Sequence, residues 1–336
     1  MLTRLIPTIR NITSKYSNKY SLLSSRLSST FYSTSAPSPT LSPTLSSPLP
    51  DENQTLVEKL DPLRYNGPIK AAILDWSGTT ADAHVIAPAV VFYNVFAKHG
   101  VPITMEEARL PMGLRKDLHI AKILEIPEVR ERWTETKGLE PTSQDVDDLF
   151  EDFVPMQIDC LPEYCDLLPG TVEAVNEIKS MGIKIGVSTG FTREMVDVLL
   201  KYANQQGFYP DFTVGGDEVE NNMGFRPTPF MIYKNLVNLG VYPIGAVVKV
   251  DDTVSGVGEG WNAGCWTVGL ARYSNYTNID TMAQWNNLSE SERQTLVNKS
   301  REVLREARPH YLADDIRQLP SIIRDINYRI SKGESP

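Results

Sequence analysis

"IKAAILDWSGTTAD" (residues 69–82) decides how the rest of the chain is read. Its first seven residues form a short apolar run, the pattern of a parallel strand buried on both faces. The run ends on a carboxylate, Asp75, and the Gly-Thr-Thr after it is turn chemistry. Alone, an Asp in that place reads as a turn cap. Its weight comes from what recurs downstream.

Three more runs have the same form. "IKIGVST" (183–189) follows the helical pattern "TVEAVNEIKSMG", which Gly182 closes. "GAVVKVDD" (245–252) follows "FMIYKNLVNLG", and "CWTVGL" (265–270) follows "VSGVGEGWNAG". Strand and helix alternate, which implies an α/β fold with a doubly wound, Rossmann-like parallel sheet. Chemistry in such sheets collects at the carboxyl ends of the strands. Asp75, Ser188 or Thr189, and Asp251 with Asp252 all fall there. Residues 272–309 read as a polar loop and helix, and "HYLADDIRQLPSIIRDINYRI" as a last edge element and helix.

Between the first two strands the texture changes. "APAVVFYNVFAKHG", "EEARLPMGLRKDLHIAKIL" and "SQDVDDLFEDFVPMQIDCL" show helical periodicity. Residues 84–168 therefore read as an inserted helical cap domain, and 67–83 with 169–336 as the core domain. An insertion at that point would stand over the sheet edge and cover the site.

The 336 residues carry a net charge of −9, yet the first fifty hold five basic residues and no acid, leaving −14 for the remainder. So acidic a body disfavours a nucleic-acid surface or adhesion to anionic membranes. Three cysteines without a CxxC pair suit reduced thiols, and no apolar run is long enough to span a bilayer. Residues 1–35, rich in Arg and Ser, have the features of a mitochondrial transit peptide. The expected address is the mitochondrial matrix, with the cytoplasm as the alternative. The Pro/Ser-rich stretch 36–66 reads as a disordered linker.

The segments "DWSGTT", "STG", "GFRPTP" and "KVDDTVSG" resemble the four motifs of the haloacid dehalogenase superfamily. "EEARLPMGLRKDLH" narrows the likeness to its phosphonatase family, because it is similar to the cap segment that carries that family's imine-forming lysine. The resemblance implies a helical cap, bound Mg2+, a homodimer joined through the caps, and cleavage of phosphonoacetaldehyde to acetaldehyde and phosphate. It implies Asp75 as nucleophile, with Asp75, the Ser77 carbonyl and Asp252 as metal ligands and Asp251 beside them. The family's further acid, four residues on, is Gly256 here. Thr189 and Gly190 would bind the phosphonate, with Ser188 in competition because a strand end's register is open, and Arg226 stands where many relatives have lysine.

These residue types suit that chemistry. A carboxylate is already ionised at neutral pH and attacks phosphorus without a base to activate it. A hard cation with oxygen ligands offsets the repulsion between nucleophile and phosphonate. Phosphatases of the superfamily place a second Asp two residues after the nucleophile, to protonate a leaving alkoxide; here that residue is Ser77. When the leaving atom is carbon, such an acid has no task, and the carbon needs an electron sink. An imine formed on a lysine supplies one. Lys116 matches the family lysine. If its segment is one helix, Met112, Lys116, His119 and Ile123 share a face. His119 would then shuttle protons, and Met112 and Gly113 would shape the loop that closes over the substrate. The competing readings are a capped phosphatase or phosphosugar mutase of the same fold, and a catalytically inactive binding protein.

Overall fold

A computed structural model describes residues 65–336. The expected transit peptide and nearly all of the linker lie outside the described residues. The first strand, β1, spans Ala71–Leu74, each of its residues fully buried. Helices α1 (Ile86–Lys98), α2 (Met105–Arg109), α3 (Lys116–Glu125), α4 (Pro127–Lys137) and α5 (Ser143–Cys160) follow before the next strand. The chain then alternates α6 (Thr171–Ser180), β2 (Lys184–Ser188), α7 (Arg193–Gln205), β3 (Phe212–Val214), α8 (Phe230–Leu239), β4 (Val247–Asp251), α9 (Val254–Ala263) and β5 (Trp266–Leu270). It closes with α10 (Met282–Asn287), α11 (Glu290–Arg305), β6 (Tyr311–Ala313) and α12 (Leu319–Ser331).

The six strands form one sheet in the order β3-β2-β1-β4-β5-β6, with every pairing parallel. This is the expected doubly wound α/β sheet. Each crossover carries a helix whose apolar side packs onto the sheet, so the central strands are buried on both faces. β1 lies at the centre, flanked by β2 and β4 in the register Leu74↔Val187 and Leu74↔Val250. The Asp75 N–H donates to the Val250 carbonyl at 2.9 Å and carries the ladder one residue past the strand. The residues just beyond Leu74, Val187 and Val250 therefore emerge side by side.

Two expectations about elements need correction. β3 was not expected; three residues are too few to show a period. The segment read as one helix around Lys116 is two, because Pro111 and Gly113 (φ 95°) interrupt it. α2 stops at Arg109, α3 begins at Lys116, and Met112 lies in the turn between them. Lys116 is thus the first residue of its helix, and His119 and Ile123 share its face while Met112 does not.

Candidate active site

The ends of β1, β2 and β4 meet the turn Met112–Leu114 around a narrow cavity of about 20 Å³, room for about one water. Asp75 and Ser77 enter from β1, Thr189, Gly190 and Phe191 from β2, and Asp252 and Thr253 from β4. Arg226 comes from the loop before α8; Met112, Gly113 and Lys116 come from the inserted helices. Nine of the candidate residues named from the sequence line this one cavity, and His119, Ser188 and Asp251 do not.

Arg226 organises the floor. Its Nη2 donates to Asp75 Oδ1 and to the Ser188 carbonyl, each at 2.6 Å, and its Nε donates to Glu259 Oε2 at 3.1 Å. The planar guanidinium holds three acceptors at fixed angles, which an ammonium cannot do. The competition between Ser188 and Thr189 resolves by depth. Ser188 Oγ points into the core, where Lys249 Nζ donates to it at 2.8 Å and it donates to Glu259 at 3.1 Å. Thr189 faces the cavity, its Oγ1 accepting from Phe191 N–H at 3.3 Å.

Lys249 and Glu259 escaped the sequence reading. Lys249 Nζ lies 3.0 Å from Asp251 Oδ2 and 3.2 Å from Glu259 Oε2, all three side chains fully buried. A lysine inside the apolar run of β4 was the available signal, since a charge in a doubly buried strand must have a partner. Glu259 gave none, as one acid on a helix is ordinary.

Asp75, Asp251 and Asp252 each offer a carboxylate oxygen, all within 4.8 Å of one another. Burial pushes Asp75 up, against the pull of Arg226. Burial also opposes the Asp251 charge, but Arg226 and Lys249 outweigh it and hold that group below its ordinary value. Asp252 is pushed well above its ordinary value, by burial first and then by Asp251 and Asp75. Its Oδ2 accepts from Asn275 N–H at 3.0 Å, and its Oδ1 is buried with no partner. A buried, unpartnered carboxylate oxygen beside two other acids has the donor chemistry of a divalent cation site. These residues fit a metal ion; its identity is a separate matter.

The Gly256 departure has a physical account. A Cβ placed there would lie 1.9 Å from Asp251 Oδ2, so the Asp251 carboxylate already fills the space a side chain at 256 would need. Gly190 is likewise committed: its Cβ would lie 2.6 Å from the Leu114 carbonyl oxygen. The close approach at Gly190 is made by the backbone of the inserted segment. Gly113 packs as tightly from the other side, a Cβ meeting Ser255 Oγ at 2.4 Å.

Lys116 is 5% exposed, its ammonium 4.5 Å from the centre of the Phe191 ring and 5.9 Å from that of Phe92. Burial brings its pKa down to about 8, although Asp75 draws it upward. Its place at the N-terminus of α3, the positive end of the helix dipole, also favours the neutral amine. His119 lies behind it: its ring stacks on Phe92 at 3.9 Å and its Nε2–H donates to the Ala108 carbonyl at 2.8 Å. Burial and the Lys116 charge hold it well below the usual histidine range. His119 does not line the cavity, and its Nδ1 is buried without a partner. Arg115 and Asp117 form an ion pair at 2.7 Å, and Arg115 ties the turn to the Asn222 carbonyl.

Residues 69–264 match the haloacid dehalogenase-like hydrolase family. A phosphonoacetaldehyde hydrolase of Pseudomonas paraeruginosa is 39% identical over 276 residues, 82% of this chain and 99% of that protein. The chain belongs to the phosphonoacetaldehyde hydrolase family. It is an enzyme, a hydrolase of the haloacid dehalogenase superfamily. A second family member, from Vibrio campbellii, is 40% identical over 81% of this chain and 99% of its own length. The crystal structure of a phosphonoacetaldehyde hydrolase-like protein from Oleispira antarctica aligns with a TM-score of 0.78 at 35% identity, covering 81% of this chain and 98% of that one. These comparisons overturn the mitochondrial address: the matched relatives are bacterial proteins, from cells that have no such organelle. Among the described residues, no helix is long and apolar enough to cross a membrane.

Proposed function

We propose that this chain hydrolyses the P–C bond of phosphonoacetaldehyde, giving acetaldehyde and phosphate. The observation that carries this reading is the buried Lys116 sharing a cavity with Asp75, where the residue two places after the nucleophile is Ser77.

The neutral Lys116 amine attacks the aldehyde carbon and, with uptake of one proton from solvent, water leaves, forming a protonated imine; the proton is returned when the imine is hydrolysed. Asp75, with one oxygen pinned by Arg226, attacks phosphorus through the other. The P–C bond breaks and its electron pair moves into the imine, leaving a neutral enamine on Lys116 and a phosphoryl group on Asp75. Water then cleaves the aspartyl phosphate. Protonation of the enamine carbon and hydrolysis of the imine release acetaldehyde and restore both side chains. Thr189 and Arg226 hold the phosphonate oxygens, while Met112 and Gly113 wall off solvent, which would otherwise hydrolyse the imine too early. Asp75, Asp252 and the Ser77 carbonyl would hold Mg2+, which supplies positive charge against the developing phosphoryl charge. We further read the molecule as a homodimer joined through the inserted helices, which leave Tyr93 and Leu110 exposed; its mass in solution checks this.

Reduction with borohydride in the presence of phosphonoacetaldehyde tests the central step. A two-carbon adduct mapped to Lys116 is expected, and labelling elsewhere refutes the imine. Phosphate release from a panel of phosphonates and phosphate esters, with and without Mg2+, separates this activity from that of a capped phosphatase. Phosphonoacetaldehyde should be the preferred substrate, and chelation should abolish turnover.

A further inference from the structure

The loop from Tyr273 to Asp280, between β5 and α10, contributes no group to the chemistry above, yet it bonds three parts of the site together. Toward the metal acids, Asn275 N–H donates to Asp252 Oδ2 at 3.0 Å and Ser274 Oγ to the Asp252 carbonyl at 2.8 Å. Toward the inserted helices, the Asn275 amide meets Arg109, the last residue of α2, in both directions. Its Nδ2 donates to the Arg109 carbonyl at 3.1 Å, and Arg109 Nη1 donates to its Oδ1 at 3.2 Å. Toward the chain that enters α1, His84 N–H donates to the Tyr273 carbonyl at 2.7 Å and Arg109 Nη1 to the His84 carbonyl at 2.8 Å.

Arg109 is 3% exposed. Its remaining donors reach the Ile279 carbonyl and, at 3.2 Å, Asp280 Oδ1. The connection it grips is strained: Asp82, His84 and Val85 all have positive φ, at 51°, 67° and 56°. Such conformations persist only where the surroundings enforce them. Seven residues beyond Arg109 stands Lys116.

We propose that Arg109 and Asn275 form a clasp that couples the seating of Lys116 over the cavity to the placement of the Asp252 carboxylate. They are positioning residues: neither lines the cavity, and each acts through a group that does. Coupling of this kind is reciprocal. A cation held by Asp252 steadies the loop, the loop grips Arg109, and Arg109 seats the turn that carries Lys116. This inference rests on the reading of Asp252 as a metal ligand and Lys116 as the reactive amine.

The test uses the free enzyme, Mg2+ alone, and trinitrobenzenesulfonate, with peptide mapping of the modified lysine. In the unaltered chain, Mg2+ should slow modification of Lys116 by about fivefold or more, the lower end of ordinary coupling between sites. Asn275→Ala keeps the backbone N–H on Asp252 and removes only the link to Arg109. It should still bind Mg2+ by calorimetry and lose the protection. Equal protection in both proteins overturns the clasp, as does absent protection in the unaltered chain when calorimetry shows Mg2+ bound. If calorimetry shows no Mg2+ binding at all, the metal reading falls and the clasp with it. Should Asn275→Ala fail to fold by circular dichroism, Arg109→Lys, which keeps the charge and removes the planar fork, decides by the same two measurements.

Discussion

Arg226 Nη2 stands 2.6 Å from Asp75 Oδ1, and the same nitrogen donates to the Ser188 carbonyl. One oxygen of Asp75 is therefore fixed at the level where β1 and β2 end, in a residue that lines the cavity. The cation also opposes the burial that pushes the carboxyl above its ordinary value. In the mechanism proposed above, the other oxygen attacks, and the electron sink is the remaining requirement for the reaction.

Lys116→Arg keeps a cation in place but provides no amine to form an imine. Acetaldehyde release should fall by a factor on the order of 10⁴ to 10⁶, the scale on which a covalent nucleophile is lost. A coupled acetaldehyde assay checks this; near-normal turnover would remove Lys116 from the chemistry.

The depressed Lys116 pKa has two consequences with a defined sign. In the proposed mechanism the reactive form is the neutral amine, so kcat/KM should rise with pH and level off above about 8. Stability follows the same group. The unfolded chain holds this proton more tightly than the folded one, so between about 8 and the ordinary 10.5 stability increases with pH. Below that window the full penalty applies, at most roughly 3 kcal/mol. Lys116→Met should therefore raise the melting temperature at pH 7, with the gain fading toward pH 10. A lower melting temperature at pH 7 would contradict it.

Gly256→Ala would drive a methyl into the Asp251 carboxylate. A loss of about 1–3 kcal/mol is expected from the overpacking, with weaker Mg2+ binding as Asp251 moves. Adding Asp251→Gly removes the clash but leaves the buried Lys249 and Arg226 short of a partner, so stability should not return and the cation should stay weakly held. Unchanged melting and calorimetry in the single variant would show that Asp251 has room to yield.

Lys249→Met leaves the buried carboxylates of Asp251 and Glu259 short of a partner. Breaking such a set costs about 3–5 kcal/mol, to be read from urea unfolding. Glu259→Gln in the same chain should recover part of it, since the surplus charge then disappears.

The sheet was legible because fully buried parallel strands are short apolar runs between turn signals, and four of its six strands have that form. The site was legible because Asp75, Thr189 and Asp252 each fall one residue beyond such a run. What escaped depended on direction and depth. Ser188 and Thr189 are adjacent in the sequence, yet one faces the core and the other the cavity, and only the register settles which. His119 matched a helical face, but Pro111 and Gly113 end that helix before Met112 can join it, and the ring turns to Phe92 and the Ala108 carbonyl. Lys249 was visible as a charge inside a strand; its partner Glu259, from another element, was not.

Gly190 leaves no clearance between the sheet edge and the Leu114 backbone. A methyl group there would act as a doorstop, propping the inserted helices ajar. In the imine mechanism proposed above, bulk solvent would then leak in and undo the adduct on Lys116 before the P–C bond breaks, so an alanine should convert productive turnovers into futile ones. The bare α-carbon lets the Leu114 backbone close against the sheet edge like a gasket.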